Sequence, residues 1–267
     1  MPSIKVNEKS VFYTLDQDDD QPAKLTALFI HGLGSSSCFY KTITPSFIST
    51  TRCISMDTPG SGLSELGNTE QSISSIAKDA IRLLDVLQIH EKVVVIGHSM
   101  GGIVASYIAA EFPDRVKGVV LIGPVNPDPA LVSVFEKRIE VVKKDGLEAL
   151  ANNIPTGATG SKAGPLQHAF IRSLILGTSS EGYISLCNVI AKASKPDYSS
   201  IEAPLLILVG AEDKTAPLAS SEAILNTYGT SKERKKLEIL DGVGHWHCVE
   251  AVDDVARHLV TFIGSLS

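Results

Sequence analysis

The feature that most constrains this chain is a ten-residue stretch near its middle. Val93-Val94-Val95-Ile96 runs directly into Gly97-His98-Ser99-Met100-Gly101-Gly102, and Ile103, Val104, Ala105, Tyr107, Ile108 and Ala109 follow. A β-branched run, a G-x-S-x-G turn and an apolar helical stretch predict a buried strand, a very tight turn and a helix. The glycines have a steric reason: a Cβ at 97 or 101 would crowd the neighbouring helix or strand. Ser99 is then held in a strained backbone at the top of a sheet, at a helix N-terminus whose dipole favours negative charge. This is the pattern of a nucleophile elbow.

Strand and helix patterns alternate on both sides of it. Apolar strand-like runs cover 25–30, 52–56, 116–122, 204–210 and 236–240. Residues 4–6 and 11–15 suggest a hairpin around Asn7-Glu8-Lys9, with 16–21 as its outgoing loop. Between the strands, 39–48 allows a helix that Pro45 keeps short or kinked, and Ile76, Ala80, Leu83, Leu84 and Leu87 define another, capped by Ser72, Ser74 or Ser75. A last helix is expected over 249–263. The alternation predicts an α/β fold with a mostly parallel sheet covered by helices on both faces.

The alternation breaks at Pro124-Val125-Asn126-Pro127-Asp128-Pro129. From there to Pro196 only helical patterns occur, over 130–142, 146–151, 167–176 and 183–193, interrupted by a flexible-looking link at 155–161 that reads as a surface loop or a lid hinge. The expected organisation is therefore a core of 1–124 and 197–267 carrying a helical cap of 125–196.

Charge and composition exclude several classes of partner. The formal net charge is −6, and the largest basic cluster, 232–236, reads as a solvated loop leading into a strand, so no nucleic-acid surface is expected. No basic leader with an apolar core and no membrane-length apolar run occurs, which points to a cytoplasmic chain with no membrane partner. Cys38, Cys53, Cys187 and Cys248 lack C-x-x-C spacing and fit unpaired thiols in a reducing compartment. His245 and His247 lie two apart with no third ligand at a recognisable spacing, so no metal is expected.

A serine hydroxyl is a weak nucleophile at neutral pH and needs a histidine to take its proton and a carboxylate to orient that histidine. Asp213, in Ala211-Glu212-Asp213-Lys214-Thr215, follows one buried strand, and His245, in Asp241-Gly242-Val243-Gly244-His245, follows the next. Both loops are expected at the sheet edge that holds Ser99. Glu212 and Asp128 compete with Asp213 by position; among the seven histidines only His245 has the Gly-x-Gly-His placement. The backbone N–H groups of Met100 and of Leu33, in His31-Gly32-Leu33-Gly34, are the candidate donors to an oxyanion. Pocket candidates are His31, Gly32, Phe170 and Tyr183, with Leu174 and Ile190 on the cap helices.

Together, His31-Gly32, Asp57-x-x-Gly60-x-Gly62-x-Ser64, Gly97-His98-Ser99-Met100-Gly101, Gly210-x-x-Asp213 and Gly244-His245-x-x-x-x-Glu250 resemble the α/β-hydrolase family over nearly the whole chain. The resemblance implies a Ser99, Asp213, His245 triad, no cofactor, and a cap over the pocket. Gly182-Tyr183-x-x-x-Cys187-x-x-Ile190-Ala191 and Pro196-Asp197-Tyr198-x-x-Ile201 are similar to the 3-oxoadipate enol-lactonase branch, and the chain departs from common patterns in having Val252 where a proline often follows Glu250-Ala251. Serine at 99 argues against the epoxide hydrolase and haloalkane dehalogenase branches, whose covalent intermediate forms on a carboxylate. The expected function is cofactor-independent hydrolysis of a small ester, lactone or enol lactone through an acyl-enzyme. Carbon–carbon bond hydrolysis of a β-diketone-like substrate and a slow-turnover small-molecule receptor are the alternatives.

Overall fold

The computed structural model describes residues 3–18 and 20–266. In chain order the elements are β1 (Ser3–Val6), β2 (Lys9–Asp16), β3 (Leu25–Ile30), β4 (Thr51–Met56), α1 (Ile73–Val86), β5 (Val93–His98), α2 (Met100–Glu111) and β6 (Val116–Ile122). Then follow α3 (Ala130–Gly157), α4 (Pro165–Leu176), α5 (Ser180–Ala191), β7 (Leu205–Gly210), α6 (Leu218–Thr227), β8 (Lys235–Leu240), α7 (His247–Glu250) and α8 (Val252–Gly264). No helix among the described residues is long and apolar enough to cross a membrane.

Among the described residues the eight strands form one sheet in the order β1-β2-β4-β3-β5-β6-β7-β8. Pairing is parallel from β4 to β8; only β1/β2 and β2/β4 are antiparallel. Because side chains alternate along a strand, each central strand feeds two cores. Leu28, Ile30, Val95 and Leu121 pack with Ile76, Leu83, Ile103 and Ile108 of α1 and α2. Ala27, Phe29, Val94, Ile96 and Val120 pack with Leu259 and Ile263 of α8.

The chain runs from β3 outward to β4 and then returns to place β5 on the other side of β3, so strand order reverses there. Open α/β sheets bind ligands at such a reversal, beyond the carboxyl ends of the strands. Ile30 is in register with Gly97, so the loops after β3 and β5 leave the sheet side by side. At the far edge Gly210 pairs with Leu240, which aligns the loops after β7 and β8 in the same way.

Several elements differ from the sequence expectation for identifiable reasons. The helix expected over 39–48 is two short 3₁₀ turns, Ser37–Thr42 and Thr44–Ser46, because Pro45 has no N–H to continue an α-helix. The patterns at 130–142 and 146–151 belong to one helical run, α3, interrupted at Gly146 (φ 73, ψ −179), a conformation nearly confined to glycine. The link at 155–161 divides between the end of α3, which includes Pro155, and a loop bonded to the core. The last helix is split at Ala251 into α7 and α8. The basic cluster is a turn, Lys232–Arg234, followed by the first residues of β8. The loop expected over 16–21 includes Asp19, which lies outside the described residues. Of the three candidate caps of α1, Ser72 accepts from the Ser75 N–H, and the Ser75 hydroxyl reciprocates.

The start of α5 is pressed against the loop after β4. A Cβ on Gly182 would lie 1.9 Å from the Gly60 carbonyl oxygen, so these two backbones touch. Gly182→Ala is therefore expected to force α5 off the core, at a cost of about 1–3 kcal/mol. Thermal unfolding checks it: the melting temperature falls by roughly 3–10 °C. Gly264→Ala, where an added Cβ meets nothing within 4 Å, leaves it unchanged.

Candidate active site

Ser99 has φ 55 and ψ −117, a conformation an L-residue adopts only when its surroundings impose it. Those surroundings are tight. A Cβ on Gly97 would lie 2.1 Å from the Gly101 carbonyl oxygen, and one on Gly101 would lie 2.0 Å from that of Ile30. The Ser99 N–H donates to the Ile122 carbonyl at 2.9 Å, which ties the turn to β6.

The three groups expected from the loop positions meet. The Ser99 hydroxyl lies 2.9 Å from His245 Nε2, and His245 Nδ1 lies 2.8 Å from Asp213 Oδ2. The second Asp213 oxygen accepts the Thr215 and Ala216 N–H groups at 2.8 Å each, so the carboxylate is fixed from both sides. With Nδ1–H donating to Asp213, Nε2 is left as the acceptor for the Ser99 proton. All three residues are buried. Glu212 turns away and bonds Ser161, while Asp128 accepts the Ala130 N–H at the start of α3.

Electrostatics reinforce this arrangement. Burial alone would raise the Asp213 carboxyl, but the charge and hydrogen bond of His245, with His247 and the Ala216 N–H, hold it down at about 2. His98 and His247 flank His245 as neutral donors: His98 Nε2–H and His247 Nδ1–H reach the His245 carbonyl at 2.8 and 2.9 Å. Burial lowers His247 to about 4 against the pull of Asp213, and drives His98 well below the ordinary histidine range.

Leu33 and Met100 stand where the sheet reversal brings the β3 and β5 loops together. A Cβ on Gly32 would come within 2.8 Å of the Ser99 Cβ, so only glycine lets this loop lie against the elbow. Met100 opens α2. Among the described residues neither the Leu33 nor the Met100 N–H has a backbone acceptor. The pair therefore offers two donors beside Ser99.

Above Ser99 is a narrow cavity of about 40 Å³, lined by Leu33, Val125 and Thr215 and, from the helices between β6 and β7, by Phe135, Arg138 and Tyr183. Ile154, Ala158, Ile175, Ile190, His245 and Trp246 complete its wall. Of the pocket candidates, Tyr183 and Ile190 reach it. Phe170 does not: α4 turns Ile171, Leu174 and Ile175 inward, only Ile175 reaches the cavity, and Phe170 packs half-buried beside them. His31 is also outside it, because its ring accepts the Thr58 N–H at 3.0 Å and bonds the Gly32 carbonyl at 2.8 Å, bracing the loop behind the site. Gly32 contributes by its closeness to Ser99 and does not line the cavity.

Arg138 and Trp246 were not among the sequence candidates. Arg138 lies three residues after buried Phe135, on the helix face that also buries Val142, and that spacing is the one signal the sequence holds. Its guanidinium stands 5.3 Å from the Phe135 ring centre and has no carboxylate within 4 Å among the described residues. Its charge acts on the Tyr183 phenol, which burial nonetheless raises to about 12.

Sheet order, elbow and the chain order Ser99, Asp213, His245 define an α/β-hydrolase. The family model described as serine aminopeptidase, S33, matches residues 21–251, and the chain belongs to this family of hydrolases. Over 225 residues it is 27% identical to 3-oxoadipate enol-lactonase 2 of Acinetobacter baylyi, covering 82% of each chain. The crystal structure of the enol-lactonase from Burkholderia xenovorans LB400 matches with a TM-score of 0.88 at 24% identity, covering 98% of this chain and 100% of that one. A thermophilic esterase from Thermogutta terrifontis matches with a TM-score of 0.89 at 22% identity, over 100% and 99% of the two chains. These two structures share the fold.

The buried histidines make stability depend on pH. His247 binds its proton at about 4 in the folded chain, below its ordinary 6.5, so the unfolded chain holds more protons across that window. The stability it permits is complete above pH 6.5 and is lost as pH falls toward 4, by roughly 3 kcal/mol at ~1.4 kcal/mol per pH unit. Urea unfolding at pH 7 and pH 4.5 is expected to show this loss, and His247→Gln to lose less. Equal losses in both proteins would contradict the assignment.

Proposed function

We propose that the chain is a serine hydrolase that cleaves a small carboxylic ester, most specifically a lactone or enol lactone bearing a carboxylate. The hydrogen-bonded run from Ser99 through His245 to Asp213 carries the reading. In acylation Ser99 Oγ attacks the carbonyl carbon while His245 Nε2 takes its proton, and the Leu33 and Met100 N–H groups receive the oxyanion. The imidazolium, balanced by Asp213, returns the proton to the departing oxygen. In a lactone that oxygen stays attached through the opened ring. Water, deprotonated by His245, then releases the acid and restores Ser99.

Arg138 supports the carboxylate. An arginine facing a mostly apolar cavity without an anionic partner is matched by a ligand that brings one. The relative that is 27% identical is itself named a 3-oxoadipate enol-lactonase. Residues 125–196 serve as the cap in this reading, since α3, α4 and α5 roof the cavity. In this reading the cap helices move aside to admit a ring-sized substrate to the narrow cavity above Ser99. Four unpaired thiols accord with a cytoplasmic setting.

The experiment is a panel of matched esters and lactones with and without a carboxylate, compared by kcat/KM in the parent and in Arg138→Met. A charge-assisted contact of about 1.5–3 kcal/mol corresponds to roughly a 10- to 150-fold preference. The variant is expected to lose that preference. A preference for neutral substrates in the parent, or an unchanged ratio in the variant, would contradict it.

A further inference from the structure

Glu250 touches neither Ser99 nor Asp213, yet it is a buried carboxylate with both oxygens occupied. Oε2 accepts the Gly160 N–H at 2.7 Å and the Gly244 N–H at 2.8 Å; Oε1 accepts the Trp246 N–H at 2.7 Å. Gly244 and Trp246 are the two neighbours of His245. Gly160 belongs to the loop that joins α3 to α4. One carboxylate thus fastens both sides of the histidine to the roof of the cavity.

Other contacts run along the same seam. The His245 N–H donates to the Ala158 carbonyl at 2.8 Å, and the Lys162 N–H to that of Gly242 at 2.9 Å. A Cβ on Gly160 would lie 2.5 Å from the Gly242 carbonyl oxygen, and one on Gly244 would lie 2.5 Å from Gly160 N. The two loops are therefore in backbone contact along 158–162 and 242–245, with Glu250 beneath both.

We propose that Glu250 is a positioning residue that makes the docked α3–α4 loop and the working placement of His245 a single unit. The proposal rests on His245 acting as the base. Hydrogen bonds to an ionised acceptor are about twice as strong as neutral ones, and three of them converge where a peptide shift of an ångström would carry Nε2 out of reach of Ser99. An amide cannot replace the carboxylate here. Its carbonyl can serve one side, but its NH₂ then confronts an N–H on the other.

Glu212 provides the control, because it binds the same loop without touching the flanks of His245. Its two oxygens accept the Ser161 N–H at 2.9 Å and the Ser161 hydroxyl at 2.7 Å. The test compares Glu250→Gln, Glu250→Ala and Glu212→Ala by three quantities: kcat and KM on one lactone, and the second-order rate at which a small organophosphonate labels Ser99. Glu250→Gln is expected to lower kcat and the labelling rate together by roughly 10- to 100-fold, with KM changed less than about threefold. Glu250→Ala loses more, and should it fail to fold, the Gln variant carries the comparison. Glu212→Ala raises KM and leaves labelling within about twofold of the parent.

Labelling of the parent, and its loss in His245→Ala, is established first. Failure there removes the base and this proposal with it. If that control holds and Glu250→Gln labels at the parental rate, the proposal alone falls. It also falls if Glu212→Ala slows labelling as much as Glu250→Gln, since any loosening of the loop would then suffice.

Discussion

The left-handed backbone at Ser99 is the constraint on which the rest of the structure depends. A non-glycine residue there costs on the order of 1–3 kcal/mol, and the chain holds it by leaving no room for the alternatives. Gly97 and Gly101 bring β5, α2 and β3 so close that added methyl groups would overlap backbone atoms. Because Ile30 and Gly97 are in register, the β3 loop must leave the sheet beside the elbow, and Gly32 lets it lie against Ser99. The strain fixes where the hydroxyl points. The parallel register fixes what stands next to it.

Opposite the elbow, histidine chemistry is set by burial. Three imidazoles, of His98, His245 and His247, lie with ring centres 5.0 to 6.2 Å apart, and only His245 is paired with a carboxylate. Burial keeps His98 and His247 neutral in the ordinary working range, where each spends an N–H on the His245 carbonyl. Those bonds hold the backbone of His245 from one side, and the α3–α4 loop holds it from the other through Ala158. The roof of the cavity and the hydrogen-bonded run from Ser99 through His245 to Asp213 therefore share a seam, so geometry at one is felt at the other.

The meeting of Ser99, His245 and Asp213 was legible in the sequence because short-range rules govern where each of them sits. A β-branched run before G-x-S-x-G leaves one plausible strand–turn–helix, and Asp213 and His245 follow buried strands that the alternation predicts to lie in a parallel sheet. Elements set by tertiary packing were less legible. α6 buries only Ser221 and Ile224 and has no strong apolar period to betray it. Phe170 is as apolar as Ile175, and which of them faces the cavity depends on how α4 rolls against Ile171 and Leu174. Arg138 is the reverse case: a charge in an apolar stripe reads as solvated until the cavity it faces is known. Glu250 stood in a recognisable pattern, but its three donors come from segments up to 90 residues away.

The central claim is that the substrate carbonyl passes through a covalent ester on Ser99. Rapid mixing with a slow lactone, quenching in acid and intact-mass spectrometry test it most directly. A lactone keeps its leaving oxygen, so the adduct is expected to add the full mass of the lactone, to map to Ser99, and to vanish in Ser99→Ala together with turnover. Substantial turnover by Ser99→Ala, or steady turnover by the parent with labelled water entering the product and no adduct at any quench time despite a pre-steady-state burst, would contradict it.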